Sequence, residues 1–150
     1  MNWNKSKSMI LSLALVVFFG LLLLGVDIFA WPVCGVAADI FLTLAGDRMR
    51  LLVTLFLCSI FAWLCLYCLF RLLLNLWNGK VFTESNVGYL RATSWCCMAV
   101  AVICGVAAVW YCLPMLVIAG AAGFMGLIVR IVKNIFRQAI DMKNELDYTV

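Results

Sequence analysis

The reactive side chains that stand out in this chain are its cysteines, because it has eight of them and no histidine. Cys65 and Cys68 form a C-x-x-C motif, which gains reactivity in redox enzymes at a helix N-terminus or beside a positive charge. Here the pair lies inside a long apolar run, where an uncharged thiol behaves as a small hydrophobic side chain. A structural role is therefore favoured, and a membrane thiol oxidoreductase is the weaker alternative.

Asp27 is the acidic residue that falls inside an apolar run. A carboxyl group within a membrane is a candidate functional site by default, and proton-coupled exporters use such groups. Asp27 precedes Pro32 by five residues, so we expect it near the outer interface, where it needs only local hydrogen bonds. A small transporter or exporter component is thus the first alternative function, and the membrane thiol oxidoreductase is the second.

Other kinds of chemistry find little support. The absence of histidine removes the most common general base and metal ligand. The glycines do not form a Walker or dinucleotide loop. We therefore expect no enzyme activity, no catalytic residue, no cofactor and no metal site. Cys34 and Cys112 fall on the same predicted outer face, where an oxidising environment would allow a disulfide.

The elements that carry these residues are four apolar runs, each long enough for a helix that crosses a bilayer. Apolar residues make up 67% of the chain and charged residues 12%, far from the balance of a soluble domain. We predict an all-α integral membrane four-helix bundle that forms one domain over residues 1–150. The predicted spans are 9–31, 51–77, 93–113 and 115–136, with a loop at 78–92 and a tail at 137–150.

The distribution of Lys and Arg predicts the orientation. With a cytoplasmic N-terminus, nine of the eleven basic residues lie inside and only Arg48 and Arg50 lie outside. The positive-inside rule then places both termini in the cytoplasm, as expected for a multi-pass protein of the bacterial inner membrane. The net charge of +4 follows from this topology, so we expect lipid contact and no direct nucleic-acid binding. The sequence leaves open whether the protein forms a homo-oligomer.

Local signals refine the elements. Pro32 should stop the first helix, and residues 33–46 form either an interfacial helix or an extension of the second span. Thr83 is a candidate N-cap. Small residues recur at helical spacing in the last two spans, which predicts a tight hairpin. These are Cys97, Ala101, Gly105 and Ala108 in the third span, and Ala119, Gly123 and Gly126 in the fourth.

Two polar segments carry a family resemblance. The loop has the pattern G-x-x-F-T-x-x-N-x-x-x-L-R from Gly79 to Arg91. This pattern resembles the corresponding loop of the YoaS-like bacterial membrane proteins, a family defined by a domain of unknown function. The acidic tail ending in Thr149 and Val150 is similar too, although Tyr148 replaces the usual Leu. The resemblance implies a small Cro/CI-type helix-turn-helix regulator as a partner and implies no catalytic residue.

The predicted function is therefore to bind or sequester such a regulator at the cytoplasmic face. A capped turn and a solvated helix end explain the same residues locally, and Arg91 alternatively extends to the lipid headgroups. The residues expected to contact the partner are Phe82, Thr83, Asn86, Arg91, Asp141, Glu145 and Asp147.

The charge distribution makes a direct prediction about topology. Thiol-accessibility labelling of intact cells should mark reporters near residues 40 and 112, and should leave reporters near 84 and 147 unmarked. Labelling of position 84 from outside would overturn the orientation.

Overall fold

The described part of the chain is helical apart from short turns. The computed structural model describes residues 3–41, 47–79, 83–110 and 113–148. Long apolar segments become helical because a helix satisfies its backbone N–H and C=O groups internally, without water. The all-α prediction is confirmed. The helices are α1 (Trp3–Ile28), α2 (Ala30–Phe41), α3 (Asp47–Trp77), α4 (Glu84–Trp110) and α5 (Met115–Tyr148).

Four of these helices are long and apolar enough to cross a membrane, in the order that the sequence predicted. Their bounds differ most at the end of α5, which runs to Tyr148 instead of residue 136, and next at the start of α4, which is Glu84 instead of residue 93. Most of the predicted loop 78–92 is therefore helix, and the connection between α3 and α4 is short. The predicted tail is also helical, because α5 continues to Tyr148.

The first span ends at Ile28, and one turn residue, Phe29, separates it from the next helix, α2. Pro32 has no N–H to donate to the carbonyl of Ile28, so the helical ladder is interrupted there. The ladder is bonded on both sides of this gap: the Phe29 N–H donates to the Gly25 carbonyl (3.0 Å) before it, and the Val33 N–H donates to the Phe29 carbonyl (3.1 Å) after it. The break falls before Pro32, which lies in the first turn of α2, so the prediction of a stop at Trp31 is wrong by three residues.

A glycine and a threonine mark the turn between α3 and α4. Gly79 has a φ of 74°, the left-handed conformation that commonly follows a helix C-terminus. Its N–H donates to the Leu76 carbonyl at 3.1 Å. Thr83 immediately precedes α4, and its carbonyl accepts from the Asn86 N–H at 3.0 Å. Glu84 occupies the first turn of α4.

The helices pack as an antiparallel series in which α3 and α4 are central. The closest packing is between α4 and α5, followed by α3 with α4 and α1 with α3, and α2 lies against α1 and α3. Among the described residues, the backbone of α1 approaches α2 and α3 but neither α4 nor α5. We call the end where α1 and α4 begin and α3 and α5 end the terminal end, and the other the opposite end.

Small residues set the distance between α4 and α5. A Cβ atom on Gly126 would lie 3.2 Å from Cys97 Cβ, and one on Gly123 would lie 3.7 Å from Ala101 Cβ. Ser94 Oγ also donates to the Gly126 carbonyl at 3.0 Å. Gly105 does not take part, because a Cβ added there has no neighbour within 4 Å among the described residues. The predicted hairpin interface thus involves Gly123 and Gly126, and its extension to Gly105 is wrong.

This contrast between glycines is testable. Gly126→Leu should lower the free energy of unfolding by about 1–3 kcal/mol, because the added side chain must displace Cys97 and Met98. Gly105→Leu is the matched control and should have a much smaller effect. Thermal unfolding in detergent measures both variants, and equal effects would contradict the packing described.

Candidate functional site

The antiparallel register shows how far α5 reaches at the terminal end. Gly126 lies against Ser94 and Cys97, and Gly123 lies against Ala101. Counting back along both helices from these contacts brings Glu84, the first residue of α4, to the level of residues 136–140. The eight residues from Asp141 to Tyr148 therefore extend past α4 by roughly 12 Å at 1.5 Å per residue.

One of the predicted partner-binding residues is not on the surface. Asn86 is 0% exposed, and its Oδ1 accepts a hydrogen bond from Asn75 Nδ2 at 2.8 Å. A buried amide is stable only when it is hydrogen-bonded, and this pair joins α3 to α4. The prediction that the Asn86 side chain contacts a partner is corrected to a structural role.

The other residues of the loop motif differ in position. Thr83 is half-buried, and its Oγ1 has no hydrogen-bond partner among the described residues, so its capping role is limited to the backbone. Phe82 lies outside the described residues. Arg91 is exposed on the second turn of α4.

Arg91 lines a groove between α4 and α5. This groove has a volume of about 410 Å³ and a lining that is half polar and half apolar. Two further cations from α5, Arg130 and Lys133, line it together with Ser94, Trp95 and Met98. Arg130 and Lys133 are not among the site residues predicted from the sequence, although their i,i+3 spacing indicates that they share a helix face.

The projecting end of α5 presents acidic and apolar residues side by side. Asp141, Met142, Glu145 and Leu146 are all exposed, and we call these four the α5 patch. Their i, i+1, i+4 and i+5 spacing makes them neighbours on one side of the helix. The side chain of Asp147 is not described. Ile140 is buried and marks where the packed part of α5 ends.

A second site lies in the interior, around Asp27. Two side chains of α3 donate to the same oxygen, Asp27 Oδ2: Ser59 Oγ at 2.7 Å and Trp63 Nε1 at 3.0 Å. The other oxygen, Oδ1, is buried and has no partner among the described residues. One oxygen is thus held in place, and the other can carry a proton or accept from a ligand.

The position of Asp27 along the bundle differs from the expected one. Ser59 and Trp63 lie near the middle of the apolar helix Arg48–Trp77. The carboxyl group therefore sits at mid-length of the bundle and not near the outer end. The expected position assumed that the bundle ends near Pro32, but α2 continues beyond Pro32 alongside α3. The i,i+4 spacing of Ser59 and Trp63 was a signal that they share a face.

Apolar cavities adjoin this carboxyl group. One of about 260 Å³ is lined by Asp27, Ser59 and Thr54 together with apolar residues from α1, α3, α4 and α5. Another, of about 420 Å³, lies between the same helices and runs from Val26 back to Val16 on α1. Leu23, Val26 and Ala62 line both cavities, so the two are contiguous along α1.

A family model described as a protein of unknown function, DUF2975, matches residues 8–150. The chain belongs to the DUF2975 family. Both candidate sites fall within the matched residues, from Asp27 to the α5 patch. No curated protein and no solved structure matches the chain.

The cysteines of this DUF2975 protein gather mainly between α3 and α4. Cys58 Sγ and Cys104 Sγ are 3.7 Å apart, and Cys65 Sγ donates to the Thr93 carbonyl at 3.8 Å. All the described cysteines are free thiols. The described residues hold no group of three or more Cys, Asp or Glu that could bind a metal ion. The arrangement therefore fits helix packing, in which small side chains let two backbones approach.

At the opposite end, Arg48 fastens α2 to α3. Its Nη2 donates to the Trp31 carbonyl at 3.0 Å, and its guanidinium lies 4.4 Å from the centre of the Trp31 ring. Cys34 is fully buried beside it, in a cluster with Ala30 and Leu51. Burial raises the pKa of the Cys34 thiol, and Arg48 opposes this rise. Cys112, the other half of the predicted disulfide, lies outside the described residues, so that pairing stays a prediction.

Proposed function

We propose that this DUF2975 protein is a non-enzymatic, multi-pass protein of the bacterial inner membrane that binds a helix-turn-helix regulator at its terminal end. The distribution of Lys and Arg supports a cytoplasmic position for that end. The resemblance of the loop and tail to YoaS-like proteins supports this class of partner. A regulator held at the membrane is kept away from its operator, and its release couples a membrane event to transcription.

The observation that carries this proposal is the extension of α5 beyond the packed bundle. The α5 patch combines two acids with two apolar side chains, Met142 at 59% exposure and Leu146 at 69%. Apolar side chains that are this exposed beyond the predicted span 115–136 are typical of protein contacts. An amphipathic helix of this kind fits a groove on a partner.

The charge of the patch complements the proposed partner. Helix-turn-helix proteins carry basic surfaces that neutralise DNA phosphates. Asp141 and Glu145 present two carboxylates at helical spacing, so they can pair with such a surface and compete with DNA for it. Arg91 lies farther along the bundle, in its own groove, and is a separate element of the terminal end.

The proposal predicts the effect of reversing these charges. The double variant Asp141→Lys with Glu145→Lys should weaken binding of the proposed helix-turn-helix regulator by about tenfold or more, since like charges would then meet at the interface. Co-purification with the tagged membrane protein, followed by titration, measures the loss. Asp39→Lys, an exposed acid on α2, is the matched control and should bind normally.

A shortened chain provides a second arm of this experiment. Ending the chain at Ile140 removes the α5 patch but keeps the last buried residue of the helix. Binding should then be lost. If the complex survives both the truncation and Arg91→Ala with Phe82→Ala, the regulator docks elsewhere. If no regulator co-purifies with the wild-type protein, the proposal fails.

Transport is a second candidate function, and the position of Asp27 favours it. A carboxyl group at mid-length of a membrane bundle, with apolar cavities beside it and one buried oxygen that has no partner among the described residues, has the features of a proton-coupled site for a lipophilic cation. This arrangement strengthens the transporter alternative relative to the thiol oxidoreductase.

The variant Asp27→Asn distinguishes transport from regulator binding. The amide keeps an oxygen that Ser59 and Trp63 can hydrogen-bond, but it cannot exchange a proton, so substrate-dependent proton flux in proteoliposomes should fall to the background rate. Ser12→Ala on the same helix removes a hydroxyl that donates to the Ser8 carbonyl, about four turns from Asp27, and should leave the flux unchanged. Flux that persists in Asp27→Asn excludes this carboxyl group as the coupling site.

A further inference from the structure

The groove between α4 and α5 concentrates positive charge at one place. Arg91 from α4 and Arg130 and Lys133 from α5 line the same space of about 410 Å³. The six described residues that line it include these three cations and no acid. Three like charges in one groove repel each other, and an anion placed between them relieves that repulsion.

The lining of the groove changes along the length of the bundle. In the antiparallel register Arg91 lies opposite residues 129–133, so the three cations share one level. That level is about 10 Å from the first residue of α4, at 1.5 Å per residue. Trp95 and Met98 follow Arg91 by one and two turns of α4, toward the middle of the bundle. The lining thus changes from cationic to apolar with increasing depth.

We infer that this groove binds the headgroup of an anionic phospholipid in the leaflet next to the terminal end. The phosphodiester lies among Arg91, Arg130 and Lys133, whose N–H groups donate to its oxygens. An acyl chain follows Trp95, which is 68% exposed, and Met98 along the surface of α4. Basic pockets between membrane helices recognise anionic headgroups in this way.

The change from charge to apolar surface favours a lipid over a free ion. Inorganic phosphate would use the three cations alone, whereas a lipid also covers Trp95 and Met98. The groove lies on the packed part of the hairpin, apart from the α5 patch, so this inference does not depend on the proposed regulator. It gives Arg91 a role in binding lipid phosphate that is separate from the regulator contact predicted from the sequence.

The test measures lipid binding to the purified full-length protein by native mass spectrometry in detergent. Phosphatidylglycerol should bind the wild-type protein more tightly than phosphatidylcholine with the same acyl chains. Arg91→Gln with Arg130→Gln should weaken phosphatidylglycerol binding by roughly tenfold to thirtyfold, as expected for the loss of two cations near the headgroup. Arg137→Gln with Lys143→Gln changes the net charge equally outside the groove and should bind as the wild type does.

Further arms decide between the remaining outcomes. Lys133→Gln alone is a milder change, which keeps the test valid if the double variant fails to fold, and it should weaken binding by a few-fold. Equal losses in the groove and control variants, or no preference for phosphatidylglycerol in the wild type, would overturn the inference. Thermal protection by inorganic phosphate alone, as strong as that by phosphatidylglycerol, would show a soluble-anion site and overturn the lipid assignment.

Discussion

The fold depends on the close approach of α4 to α5. Helices in lipid gain nothing from burying apolar surface against each other, so their association depends on small residues and on hydrogen bonds between side chains and backbone. Ser94 reaches the Gly126 carbonyl because Gly126 has no side chain in the way. On its other side α4 is joined to α3 by the bond between Asn75 and Asn86. The central helix α4 thereby forms one wall of the basic groove and holds α5, which forms the other. It also forms one wall of the Asp27 cavity.

The sequence predicted the helices well because a membrane-spanning helix is defined by length and apolar character alone. It predicted the contacts between helices less well. Spacing shows that small residues share a face, but the rotation of that face depends on the neighbouring helices, so Gly126 packs closely while Gly105 does not. Likewise, Asp27 was placed by its distance from Pro32 along the chain, and that distance takes no account of α3 passing beside it.

The candidate sites show a similar limit. A motif in one segment can identify polar residues, yet it cannot distinguish a residue that binds a partner from one that holds two helices together. Asn86 belongs to the second kind, since its hydrogen bond to Asn75 lies inside the bundle. The basic groove was missed because it forms only when α5 folds back on α4 and brings Arg130 beside Arg91. Such sites depend on register, which the sequence of either helix alone does not contain.

The break at Phe29 has a consequence for the interior. Pro32 cannot supply the N–H that the Ile28 carbonyl would receive in an unbroken helix. Because α2 begins one residue later, at Ala30, the positive start of its dipole meets the negative end of the α1 dipole, and the two largely cancel. What remains is a carbonyl without its helical donor, one residue from Asp27. The break therefore adds a hydrogen-bond acceptor to a part of the bundle where apolar side chains prevail, without adding a charged residue.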